Sequence, residues 1–123
     1  MATVLIVEHN RDLADAMAEL LRLFRYTVQV ARDGSDALSE SASSQPDAVI
    51  LDLGLPKVDG LEVARRLRQT YGSKVRLIAN TTRSDEETRR KVSEAGFDEM
   101  LIKPVSIFRI VHAIQRGGRR ASV

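Results

Sequence analysis

Short apolar runs alternate with segments of helical periodicity from one end of the chain to the other. The runs are Val4–Val7, Thr27–Ala31, Ala48–Leu51, Val75–Ala79 and Met100–Ile102. The first and third are unbroken and rich in β-branched residues or Leu, as expected of central parallel strands covered on both faces. Between them, apolar residues recur at helical spacing: Leu13, Met17, Leu20 and Phe24; Leu61, Ala64, Leu67 and Tyr71; Val105, Phe108, Val111 and Ile114. The stretches Ala37–Ser43 and Asp85–Ala95 carry weaker patterns. Asp59 with Glu62 and Ser84 with Glu87 have capping-box spacing, and Gly72, Gly96 and Gly117 stand where helices should stop. The order βαβαβαβαβα predicts an α/β domain, a parallel sheet with helices on both faces.

Length and composition narrow the class. A chain of 123 residues is one domain's worth, long enough for a single core to fold alone, with no linker or repeat visible. We expect the domain over 1–118 and a short flexible tail over 119–123. The absence of Cys excludes disulfides and thiolate metal sites. No apolar run approaches the roughly 20 residues that span a bilayer, and the amino terminus reads as a strand rather than a signal peptide. A cytoplasmic protein without membrane contact is the expectation, and the start at Met1 favours a stand-alone chain. Charge is uneven: residues 1–61 sum to −5 and residues 62–123 to +7. With 3 Phe, 2 Tyr and no Trp, and no groove-reading helix, direct nucleic-acid binding is not expected.

In open parallel sheets, functional groups collect beyond the carboxyl ends of the strands. That places Glu8, His9 and Asn10 after the first strand, Asp52 through Pro56 after the third, Asn80, Thr81 and Thr82 after the fourth, and Lys103-Pro104 after the fifth. A carboxylate can attack a phosphoryl group to form an acyl phosphate. The charge that accumulates calls for a divalent cation and for donors such as Lys and Thr.

Val4-Leu5-Ile6-Val7-Glu8, Val49 through Pro56 with Asp52, Asp59-Gly60, Thr81, Ala95-Gly96-Phe97-Asp98 and Lys103-Pro104 occur in this order and spacing. In this the chain resembles the receiver domains of two-component response regulators, the CheY-like superfamily, from Val4 to about Ile114. The resemblance implies a flavodoxin-like (βα)5 doubly wound sandwich with strand order 2-1-3-4-5. It implies a signalling domain rather than an enzyme, with Asp52 accepting a phosphoryl group from a histidine kinase or histidine phosphotransfer protein. Lys103 and Thr81 would contact that group, as would backbone atoms at Leu53 and Thr82. Mg2+ would be held by Glu8, Asp52 and the Gly54 carbonyl. Thr81, Met100 and a cis-Pro104 would form the switch that alters a downstream surface. That surface, built from the fourth helix, fifth strand and fifth helix with Arg89, Arg90, Lys91, Arg109 and Arg116, could also support a homodimer.

Two departures stand out. Where the family has a second acidic residue after the first strand, this chain has His9, a poor ligand for magnesium. Three readings stay open: weakened magnesium binding, a softer ion, or a phosphorylation-independent binding module. Met100 stands where many receivers carry an aromatic residue, and Asn80, in a central strand, needs a polar partner. Gly54 and Arg83 occupy the positions that tune phosphoryl lifetime, and neither readily orients water, so slow self-hydrolysis is expected.

Overall fold

The structure is a computed structural model and describes residues 2–55 and 59–121. Five strands, β1 (Thr3–Val7), β2 (Thr27–Ala31), β3 (Ala48–Asp52), β4 (Arg76–Thr81) and β5 (Glu99–Ile102), form one parallel sheet in the order β2-β1-β3-β4-β5. The helices between and after them are α1 (Arg11–Leu23), α2 (Gly34–Ser44), α3 (Gly60–Tyr71), α4 (Glu86–Glu94) and α5 (Ile107–Ala121), with one 3₁₀ turn at Gly72–Lys74. This is the flavodoxin-like arrangement expected from the sequence. The period-2 pleat divides the core. Val4, Ile6, Ile50 and Ile78 pack with α1 and α5, whereas Leu5, Val7, Val49, Leu51 and Leu77 pack with α2 and α3. From α4, Val92 alone is buried. That helix is the most lightly anchored layer element, as its weak pattern implied.

Four local expectations need correction. The buried face of α1 is Ala14, Met17, Ala18 and Leu21, while Leu13, Leu20 and Phe24 are exposed. The apolar arc of this helix is wide, and the alanines let it lie close against the sheet. In α5 the core residues are Ile110, Val111, Ala113 and Ile114, and Phe108 is 72% exposed, meeting Phe24 edge to face with ring centroids 6.2 Å apart. The cap of α4 is Asp85 rather than Ser84. Its backbone is extended and its carboxylate accepts from the Thr88 N–H at 3.1 Å and the Thr88 hydroxyl at 2.8 Å. Finally, α5 runs through Gly117 to Ala121, because a glycine inside a helix weakens it without forcing a stop. Gly72 and Gly96, both at positive φ, do follow helix ends.

Arg68 fastens the far end of α3. It donates to the Gly96 carbonyl at 2.6 and 3.0 Å, to the Val75 carbonyl at 2.8 Å and to Asp98 Oδ2 at 2.8 Å. Arg76, at the start of β4, is buried; it donates to the Ala113 carbonyl at 2.6 Å and pairs with Glu99 at 2.8 Å. These clamps tie β4, β5 and α5 together at the amino ends of β4 and β5, the edge opposite the site.

Candidate phosphoacceptor site

The site forms where β1, β3, β4 and β5 end side by side. The register sets Val7 beside Leu51, Asp52 beside Asn80, and Thr81 beside Ile102. Glu8, Asp52, Thr81 and Lys103 are therefore delivered to one edge by four strands. Glu8 is only 3% exposed. Its Oε1 lies 2.8 Å from Lys103 Nζ and its Oε2 accepts from the Asn10 N–H at 3.1 Å. Lys103 Nζ also lies 3.5 Å from Asp52 Oδ2. One ammonium thus serves two carboxylates, nearer to Glu8 than to Asp52.

Asp52 Oδ1 accepts from the Gly54 N–H at 3.0 Å, which turns the chain sharply after β3. Among the described residues Oδ2 meets Lys103 Nζ, and Asp52 lines the cleft. Thr81 Oγ1 accepts from the Arg83 N–H at 3.1 Å, leaving its own hydrogen to donate. The Lys103 N–H donates to the Thr81 carbonyl at 2.8 Å, and the Leu53 N–H to the Asn80 carbonyl at 3.4 Å. The Lys103–Pro104 peptide is cis, as the resemblance implied.

Asp52, Leu53, Gly54, Thr81, Thr82 and Lys103 all line one open cleft of about 460 Å³, shared with Asp59, Leu61, Arg83, Thr88 and Lys91. Arg83 and Lys91 lie on the outer side of this cleft and are joined to carboxylates there, Arg83 to Asp85 at 3.3 Å and Lys91 to Glu87 at 3.2 Å. Pro56 lies outside the described residues. His9 is exposed, and among the described residues no group of three or more His, Asp or Glu side chains is placed to hold a metal ion. Met100 is half-buried beside Ala79 in β5 and does not line the cleft.

Gly60 carries a function that the sequence shows only as part of a motif. A Cβ there would lie 2.8 Å from the Asp52 carbonyl oxygen and 3.0 Å from Leu53 Cα. The amino end of α3 approaches β3 so closely that only glycine fits, and Asp59 starts the helix by accepting from the Glu62 N–H at 3.0 Å.

Four strand ends converging on a cation-bridged aspartate agree with the comparison to known families. The profile of the response regulator receiver domain matches residues 4–115. The chain belongs to this family. It is 34% identical over 119 residues to the response regulator MprA of Mycobacterium sp. (strain KMS), covering 97% of this chain and 51% of that protein. The chain therefore spans about half the length of the curated relatives it matches. Among solved structures it resembles a DNA-binding response regulator of the LuxR family from Staphylococcus aureus, with TM-score 0.87 and 26% identity over 95% of this chain and 98% of that one. A two-component response regulator from Clostridium difficile matches the fold with TM-score 0.93, at 18% identity and full coverage of both chains. Receiver domains are signalling modules of two-component systems. Among the described residues no helix is long and apolar enough to cross a membrane.

Proposed function

We propose that this receiver domain accepts a phosphoryl group on Asp52 from a histidine kinase or histidine phosphotransfer protein. The observation that carries the reading is the single ammonium of Lys103 between Glu8 and Asp52, with the Thr81 hydroxyl in the same cleft. An Asp52 carboxylate oxygen attacks phosphorus, the P–N bond of the donor breaks, and the imidazole leaves with the electron pair and takes up a proton. Lys103 neutralises the phosphoryl oxygens and Thr81 donates to one of them. The backbone N–H of Thr82, and that of Leu53 once it leaves the Asn80 carbonyl it meets at 3.4 Å, supply further donors.

The donor chemistry fits magnesium, which takes one or two carboxylates and keeps several waters. Glu8, Asp52 and the Gly54 carbonyl would hold it; when bound, the ion supplies positive charge beside the transferring group. His9 is exposed and is not counted in this set. Downstream, the change is read on α4, β5 and α5, by a protein target or a second copy, in the cytoplasm. Neither Gly54 nor Arg83 carries a side-chain carboxylate or carboxamide to orient an attacking water, so self-hydrolysis is slow.

A second reading, a binding module that works without phosphorylation, draws on one observation. The Glu8 carboxylate is already satisfied by Lys103 and the Asn10 N–H. Incubation with a small phosphodonor and Mg2+, read by intact mass, separates the two. The phosphoacceptor reading expects an adduct of one phosphoryl group that Asp52→Asn abolishes. No adduct with any divalent ion favours the binding module, and an adduct gained only in His9→Asp identifies metal affinity as the weak step.

A further inference from the structure

Lys91 is a cation of the Asp52 cleft that phosphoryl transfer does not use. It lines that cleft from α4, as Thr88 does, in company with Asp52, Thr81 and Lys103. Thr88, Lys91 and Val92 are spaced i, i+3 and i+4, so they share one side of the helix. Val92, the buried residue of α4, turns that side inward. The helix starts just beyond the carboxyl end of β4, and helical side chains tilt toward the amino terminus. The arm of Lys91 therefore runs back toward the strand ends that carry the site.

Its present partner holds it weakly. Lys91 Nζ meets Glu87 Oε1, one turn earlier, at 3.2 Å, but the two side chains are 47% and 64% exposed, and solvated pairs of this kind contribute little. Lys103 is already shared by Glu8 and Asp52. Arg83 also lines the cleft, yet it precedes α4, pairs with Asp85 and is more exposed still. A phosphoryl group on Asp52 brings about two negative charges and three acceptor oxygens into the cleft. Asp52 is far less exposed than Glu87, so the exchange favours the phosphoryl group. With Val92 as its buried anchor, α4 is light enough to follow.

We propose, on the phosphoacceptor reading of Asp52, that Lys91 leaves Glu87 for the phosphoryl group and draws the first turns of α4 toward the site. Phosphorylation then reaches α4 through one ammonium. No covalent bond changes at Lys91; one ion pair replaces another.

The test treats isotope-labelled protein with acetyl phosphate and Mg2+, reads uptake of one phosphoryl group by intact mass, and follows the amide signals of Glu86–Glu94. In the wild type the adduct moves the signals of Thr88, Lys91 and Val92, and the Lys91 methylene beside Nζ shifts with them. Lys91→Met keeps the length of the arm without its charge. It takes up the same adduct, while its α4 signals stay at their unphosphorylated positions. Lys91→Arg restores the movement, and Glu87→Gln retains it; a merely structural role would not separate Arg from Met. Movement of α4 in phosphorylated Lys91→Met equal to that of the wild type overturns the proposal. So does an α4 that stays still in the phosphorylated wild type or in Lys91→Arg. Loss of the adduct in Lys91→Met overturns it too, by placing Lys91 in the transfer itself. No adduct in the wild type removes the phosphoacceptor reading and the proposal with it, a result that the mass alone identifies.

Discussion

Lys103 Nζ lies 2.8 Å from Glu8 Oε1 and 3.5 Å from Asp52 Oδ2, although 95 positions separate Lys103 from Glu8. The shorter contact goes to the more buried of the two carboxylates, with Glu8 side-chain exposure at 4% against 13% for Asp52. Glu8 therefore acts as the resting partner of the ammonium and Asp52 as the group with spare lone pairs. In the phosphoacceptor reading, a phosphoryl group on Asp52 competes with Glu8 for Lys103.

Lys103→Met should destabilise the fold, because it leaves two neighbouring carboxylates without a cation. Breaking a buried pair from one side costs roughly 3–5 kcal/mol, and the residual exposure of Lys103 puts the expected loss at the lower end. Glu8→Gln in the same chain should recover part of it. Urea unfolding of the two single variants and the double variant measures the coupling. Additive losses would show that the 2.8 Å contact contributes nothing.

Asp52→Asn should raise stability while abolishing phosphorylation. Asn Oδ1 still accepts from the Gly54 N–H, so the turn is retained. The substitution removes the longer contact to Lys103 and the repulsion between Asp52 and Glu8. The expected gain is about 0.5–1 kcal/mol, the scale of a partly solvated charge interaction. A variant less stable than the wild type would show that Lys103 is held mainly by Asp52.

Gly60→Ala should move the proposed phosphoacceptor itself. The added Cβ meets backbone, the Asp52 carbonyl and Leu53 Cα, so relief requires α3 to shift from β3. Overpacking of this kind costs about 1–3 kcal/mol. The Asp52 and Leu53 amide signals should shift with the lowered unfolding midpoint, and the yield of phosphorylated protein should fall. Unchanged signals at both residues would contradict the close approach.

Much of this was legible before the structure. The unbroken apolar runs located the strands, because both faces of a central parallel strand are buried. Strand ends then pointed to Glu8, Asp52, Thr81 and Lys103. What escaped is non-local or a matter of competition. In α1, Leu13, Leu20 and Phe24 share one wide apolar arc with Ala14, Met17, Ala18 and Leu21, and only the sheet decides which side is covered. Ser84 and Asp85 compete to cap α4. Asp85 takes the role because Thr88 offers it both an N–H and a hydroxyl. The sharing of Lys103, and the side-chain oxygen of Asn80, buried without a hydrogen-bond partner among the described residues, depend on neighbours brought from distant segments.

The cap of α4 predicts a pH dependence at low pH. The Thr88 hydroxyl first, and then the Thr88 N–H, hold the Asp85 carboxyl below its ordinary value of 3.8. The folded state thus favours the charged form. This contribution is present above the unfolded value and is lost as pH falls through the lower folded value. Amide exchange over Glu86–Arg89 should speed up across that acid window, and Thr88→Val should move the change toward 3.8. Exchange in this turn that ignores Thr88→Val would remove the cap as its cause.

The buried pair of Arg76 and Glu99 gives a further stability test. Arg76 side-chain exposure is 6% and that of Glu99 is 11%, and Arg116 reaches Glu99 from outside at 3.3 Å. Glu99→Gln strips the charge partner from a buried guanidinium and leaves it the Ala113 carbonyl and a neutral amide. The expected loss is about 3 kcal/mol, within the range for one-sided removal of a buried partner. Arg116→Ala, which removes only the exposed contact, should cost less than about 1 kcal/mol. Replacing both members, Arg76→Met with Glu99→Leu, should recover much of the loss, since an apolar pair carries no desolvation penalty. If the double variant is less stable than Glu99→Gln, the bond from Arg76 to the Ala113 carbonyl, rather than the ion pair, fastens β4 to α5.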